Sequence, residues 1–171
     1  MRFTPMRFSG LLYRAMNPIW SQPLSGEGAR RFGGRFNAKG VPALYTAMDP
    51  MTALREASQV GQPLNPTLLV CYEADLSPVF DATDPAALAG QGVTPADLAA
   101  EDWRLQMERG IATTQALANR LMEQGFCAMI VPSFARNVAP GARNMVLWRW
   151  SDQSLSVIDP EGRLAAYTAK T

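Results

Sequence analysis

The chain has no histidine. That absence removes Ser-His-Asp and Cys-His catalysis, His-ligated zinc, His general bases and the His pH switch together. Chemistry must come from carboxylates, Arg, Lys, Tyr, Ser or Cys. Cysteine is scarce too. The two present, Cys71 and Cys127, have apolar neighbours, as buried strand thiols do. Two thiols make no disulfide framework, so a reducing compartment is expected. No run of about 20 apolar residues could span a bilayer. Residues 1–18 mix Arg2, Arg7 and Arg14 with short apolar pieces and lack the continuous apolar core of a signal peptide. The expectation is a soluble cytoplasmic protein with no membrane partner. An excess of one charge is also missing: 16 Lys+Arg against 15 Asp+Glu leave +1. No overall basic field draws the chain to nucleic acid, so any anion site must be local.

What is present is a foldable chain of 171 residues, 47% hydrophobic and 18% charged. That length suits one domain over residues 1–171, with its core in about 9–150 and a fraying tail from about 161. Residues 9–15 read as a strand. Residues 17–42, rich in Gly and Pro, read as a long irregular stretch. Residues 43–47 form a second strand, and Asp49-Pro50 caps and opens a helix through about Val60. Residues 67–75, preceded by Pro63 and Pro66, read as a central strand. Residues 79–100 read as two short surface helices, the second capped by Thr94 with Pro95 first. Thr113 or Thr114 caps a helix through Gln124, with Leu117, Leu121 and Met122 inward and Gly125 at its end. Strands over 126–131, 144–150 and 154–158 complete an α+β class with an antiparallel or mixed sheet.

Several residues could carry chemistry. Phe32-Gly33-Gly34-Arg35-Phe36-Asn37 invites a phosphate reading, because glycines let N–H groups approach an anion and Arg forks onto two oxygens. It lacks the spacing of a dinucleotide fingerprint and the ending of a P-loop, and a tight turn explains it as well. Glu56 lies about 200° around its helix from Leu54, the expected apolar anchor, and so points away from that core. A solvated carboxylate is the ordinary reading of such a residue, but the helix directly follows the Tyr45 strand, so Tyr45 and Glu56 could border one cleft. Ser133 follows a buried strand. Without a histidine it is a hydrogen-bonding residue rather than a nucleophile. Trp103, Trp148, Trp150 and Phe134 read as core or rim aromatics.

Taken in order, these pieces resemble the RES domain, the toxin half of RES–Xre toxin–antitoxin modules. The resemblance rests on Leu12-Tyr13-Arg14-Ala15, Pro23-Leu24-Ser25-Gly26-Glu27-Gly28, Arg31 through Asn37, Gly40, Ala43 through Ala47 and Ala53-Leu54-Arg55-Glu56. It is dense to about residue 60 and thin over 79–125. The Arg, Glu and Ser of the family name correspond to Arg35 or Arg14, to Glu56 and to Ser133, followed by Asn144-x-Val146-Leu147. Phe36 stands where the family often has Trp, so an aromatic is kept.

The resemblance implies a fold like the ADP-ribosyltransferase toxins and cleavage of NAD+ between nicotinamide and ribose. Nicotinamide leaves without a general acid, so the task is to hold the dinucleotide and stabilise a ribosyl oxocarbenium. Glu56 would face that cation, as carboxylates do in glycosidases. Arg35, and also Arg14, would clamp the pyrophosphate. Tyr45 would pack on the nicotinamide or its ribose, and Ser133 and Asn144 would orient the substrate. Arg136 and Arg143 would hold phosphate if phosphate is the acceptor. NAD+ is substrate here, with no metal and no resident cofactor. The family also implies an Xre-type antitoxin with a helix-turn-helix DNA-binding part, a homodimer within that complex and no direct nucleic-acid contact. The alternatives are an ADP-ribosyltransferase acting on protein or nucleic acid, an RNA-directed toxin disfavoured by the neutral charge, and an inactive binding module.

Overall fold

The structure, a computed structural model, describes residues 5–18, 22–58 and 66–165. In chain order the elements are β1 (Met6–Met16), α1 (Glu27–Phe32), β2 (Leu44–Ala47), α2 (Pro50–Ala57), β3 (Leu68–Asp81), α3 (Pro85–Gly90), α4 (Pro95–Ala99), α5 (Trp103–Glu108), α6 (Thr113–Glu123), β4 (Ala128–Pro132), β5 (Arg143–Leu147) and β6 (Leu155–Val157). The strands follow the order β1-β2-β5-β4-β3-β6, and β1 also pairs with β3. The first five strands therefore close a circuit. All pairings are antiparallel except β3 with β4. The class is α+β with a mixed sheet, as expected.

Alternate strand residues face two cores. Leu44, Ile130, Met145 and Leu147 share one, enclosed by the strand circuit, with Leu12, Val70, Tyr72 and Leu76. Met129, Val131, Val146 and Trp148 share the other with Leu88, Leu98, Leu117 and Leu121 of the helices. Each such fully enclosed leucine contributes about 2 kcal/mol of hydrophobic stabilisation.

The helix punctuation reads well where a side chain caps. The Thr52 N–H donates to Asp49 Oδ1 at 2.8 Å, and Thr94 with Asp97 completes a reciprocal capping box on α4. At α6 the cap is Ala112 rather than Thr113 or Thr114. The Ala112 N–H is taken by Gln115 Oε1 at 3.1 Å, which frees the buried Thr114 hydroxyl to donate to the Arg35 carbonyl.

Three expectations need correction. The irregular stretch holds a real helix, α1, where Gly28 and the flanking glycines masked a turn braced by an Arg30–Glu27 ion pair. Strand β3 runs on to Asp81, because Pro78 does not end it; the chain passes there from pairing with β1 to pairing with β4. On α2 the inward residues are Thr52 and Ala53, while Leu54 is half-buried and Ala57 exposed. The helix packs close upon β1, where only small side chains fit. Val60 and Pro63 lie outside the described residues, as does the tail from 166. Both cysteines are free thiols. No helix among the described residues is long and apolar enough to cross a membrane.

Candidate active site

The Gly33–Asn37 segment is a closed turn. Gly33 ends α1 with φ 72° and ψ 165°, a conformation open essentially only to glycine. Its N–H donates to the Ala29 carbonyl, and Gly34 and Asn37 exchange backbone bonds at 2.9 and 3.4 Å. The Phe36 N–H donates to the Tyr45 hydroxyl at 3.0 Å, and that hydroxyl donates to Asn37 Oδ1 at 2.6 Å. Asn37 is fully buried, and its amide donates to the carbonyls of Ala29 and Val41. Gln115, Thr114 and the Trp148 indole supply donors to the carbonyls of Gly34, Arg35, Phe36 and Asn37. The phosphate-cradle alternative fails for a physical reason: most of these N–H groups are already bonded within the protein. What the turn offers outward is the Arg35 side chain.

Tyr45 has a similar fate. Burial pushes its hydroxyl well above the ordinary 10.0, and both its bonds hold the turn. Its ring lines a cleft, but the hydroxyl is not free for a substrate. Tyr45→Phe should cost about 2 kcal/mol by leaving the Phe36 N–H and Asn37 Oδ1 without that partner, a fall in Tm of about 6 °C by thermal unfolding.

The cleft has a volume of about 730 Å³ and is bordered by β1, β2, α2, the Gly33–Phe36 turn, α5 and the segments after β4 and before β5. That volume lies within the range of small-molecule sites. Register explains which strand residues reach it: Tyr45 pairs with Val146, and both Ala47 and Val131 pair with Asn144. Arg143, one position earlier, projects to the other side and is exposed. It does not line the cleft, so its predicted phosphate role falls. Arg136 does line it.

Glu56 lies one turn beyond Thr52 and Ala53 on the inward side of α2, not away from the core as the Leu54 argument implied. Its Oε1 accepts from Ser133 Oγ and from Asn144 Nδ2, each at 2.6 Å. Residues 56, 133 and 144 thus meet as predicted from separate segments. Two donors on one oxygen fix the carboxylate plane. Asn144 Oδ1 is buried with no partner.

The arginines divide. Arg35 Nη1 donates to the carbonyls of Leu98 and Ala100 at 2.8 and 2.9 Å, and its guanidinium lies 4.9 Å from the Phe134 ring and 5.9 Å from that of Trp103. Burial is the main cause of its lowered pKa, followed by the neighbouring charge of Arg104. Nη1 is committed to two carbonyls, which leaves the Nε and Nη2 edge for a substrate while Arg35 ties α4, and through Trp103 α5, to the cleft. The 79–100 segment is therefore not surface decoration: it packs on the core through Leu88, Val93 and Leu98 and holds Arg35 from behind the cleft. Arg14 borders the cleft with Nη1 enclosed and unpartnered. It lies beside the Tyr72 hydroxyl, which burial pushes up against the opposing charge of Arg14.

Sequence reasoning missed Arg55, Glu101 and Arg104, which also line the cleft. Only the neighbouring Trp103-Arg104 pair carried a signal, that of a guanidinium stacked on an indole. The lining holds five arginines (14, 35, 55, 104 and 136) against two glutamates (56 and 101). Among the described residues the ion pairs are Arg7–Asp75, Arg30–Glu27 and Arg163–Glu161, so none of those five is paired. The cleft thus carries a local positive excess that the overall charge of +1 does not show.

These features define a small α+β protein with an arginine-rich cleft built around one fixed carboxylate. The RES domain model matches residues 11–166, and the chain belongs to that family. Two Mycobacterium proteins named NAD(+) phosphorylase MbcT, from M. bovis and M. tuberculosis, are each 36% identical over 91 aligned positions, covering 47% of this chain and 48% of theirs. The match thus spans about half the length of those relatives. The crystal structure of the M. tuberculosis MbcT-MbcA toxin-antitoxin complex contains a chain that superposes with a TM-score of 0.68 at 25% identity, over 96% of this chain and 90% of that one.

Proposed function

We propose that this protein is a toxin that consumes NAD+ by breaking the bond between nicotinamide and ribose. The observation that carries the reading is Glu56, fixed through one oxygen by Ser133 and Asn144 in a cleft lined by unpaired arginines. Nicotinamide departs with the bonding electrons as a neutral base, so no acid is needed. The ribosyl cation left behind is stabilised by the Glu56 carboxylate, a fixed charge that needs no reorganisation. Arg14, with an enclosed N–H lacking a partner, meets an anionic oxygen of the substrate, and Arg35 adds fixed positive charge nearby.

The relatives' name favours phosphate over water as the acceptor, giving ADP-ribose phosphate. Arg136 and Arg55 remain as phosphate ligands, Arg143 having turned away. The complex in the solved neighbour supports an antitoxin partner for this chain. An Xre-type partner with a helix-turn-helix, a homodimer within the complex, a cytoplasmic setting, arrest of growth and kinship with the ADP-ribosyltransferase fold belong to the same reading.

The test is a time course of purified, antitoxin-free protein with NAD+, with and without phosphate, following nicotinamide and the ribosyl product by chromatography. Nicotinamide release is expected, faster with phosphate and yielding a phosphorylated ADP-ribose. Folded protein that releases none in either buffer overturns the reading.

A further inference from the structure

Arg104 lies with its guanidinium carbon 4.4 Å from the centroid of Trp103, whose ring also has Arg35 at 5.9 Å. Trp103 is buried, at 8% exposure, while Arg104 is exposed and lines the cleft. Two guanidinium groups thus share one indole, neither in an ion pair among the described residues, although the charges of Glu56 and Glu101 also act on Arg35. The cleft lining still holds five arginines against two glutamates, a balance that favours an anion at its α5 side. Of the two arginines over Trp103, Arg35 has committed Nη1 to the Leu98 and Ala100 carbonyls, so Arg104 has the more donors free.

We infer that Arg104, seated over the Trp103 ring at the α5 side of the cleft, is an anion-binding residue that grips the adenylate-side phosphate of a dinucleotide. The inference rests on the NAD+ reading for its ligand. It assigns α5 a task of its own, in a stretch where the family resemblance is thin. Glu56 is on α2, Arg14 on β1 and Arg104 on α5, three elements bordering one cleft, so a ligand that meets all three spans it. The phosphate assigned to Arg104 is the one a mononucleotide lacks, so on this inference Arg104 favours the dinucleotide. Stacking holds the guanidinium plane ready for a bidentate contact that Lys cannot reproduce.

Steady-state kinetics of wild type, Arg104→Gln and Arg104→Lys with NAD+ and with nicotinamide mononucleotide, alongside calorimetric titration with ADP, test this. For Arg104→Gln the loss should fall on KM for NAD+, rising about 10- to 100-fold, the worth of a charge-assisted hydrogen bond. ADP affinity should fall by the same factor, the mononucleotide should be spared, and Arg104→Lys should be intermediate. An unchanged KM and unchanged ADP affinity in Arg104→Gln overturn the inference, as does wild type that binds no ADP. Wild type that binds ADP through Arg104 yet turns over no NAD+ upholds the inference and defeats the cleavage reading instead.

Discussion

Glu56→Gln is expected to lower nicotinamide release from NAD+ about a thousandfold while the protein melts close to the wild-type temperature. A carboxylate about 4 Å from a developing unit charge, at an effective dielectric near 20, stabilises it by up to roughly 4 kcal/mol. Each 1.36 kcal/mol is about a factor of ten in rate, which gives about three decades. Glutamine is the informative replacement because its carbonyl oxygen can keep accepting from Ser133 Oγ and Asn144 Nδ2, leaving geometry in place while removing the charge. Alanine is less clean here than a solvent-facing Glu56 would have made it. It would strand two donors in a partly enclosed site, so a loss of activity could reflect rearrangement. Nicotinamide release at saturating NAD+, with thermal unfolding of the same samples, separates the cases. Activity within tenfold of wild type would remove Glu56 from the chemistry.

Much of the site was legible in the sequence, and what was not has a physical pattern. Zero histidines narrowed the chemistry before any element was drawn. Asp49-Pro50 and Thr94-Pro95 were readable because capping is local. The meeting of Glu56, Ser133 and Asn144 came through the resemblance; chain position had set Glu56 beside Tyr45 at one cleft, while periodicity chose the wrong inward anchor in Leu54. A moment calculated around Leu54 assumes that the largest apolar residue packs inward. The close approach of α2 to β1 selects Thr52 and Ala53 instead. Arg143 and Asn144 show the complementary case, since adjacent strand residues face opposite ways and the register decides which one reaches the cleft. Arg35 and Arg14 could not be ranked from composition. Their difference lies in long-range partners, the Leu98 and Ala100 carbonyls for one and an enclosed, unpartnered N–H for the other.

Gly34→Ala should be among the most damaging small substitutions in the chain, costing about 3 kcal/mol and lowering Tm by about 10 °C. A Cβ at this position would run into the Tyr45 hydroxyl and Asn37 Oδ1. Those two atoms are bonded to each other inside the buried turn, so neither can yield without breaking the bond. Displacing Asn37 would also release the carbonyls of Ala29 and Val41, and displacing Tyr45 would release the Phe36 N–H. Buried polar groups left without partners carry their full desolvation cost. The damage reaches function as well, because the turn sets the backbone of Arg35, which ties α4 and α5 to the cleft. Gly28→Ala is the matched control: a Cβ there meets nothing within 4 Å, and the position lies in α1. Alanine is the better helix former by about 1 kcal/mol, so this variant should melt at or above wild type. Thermal unfolding of the two alanine variants side by side decides the matter. If they melt together, the turn has room that its hydrogen bonds deny. If Gly34→Ala alone falls, the Gly-Gly-Arg segment is retained for close packing beneath the cleft rather than for backbone contact with an anion.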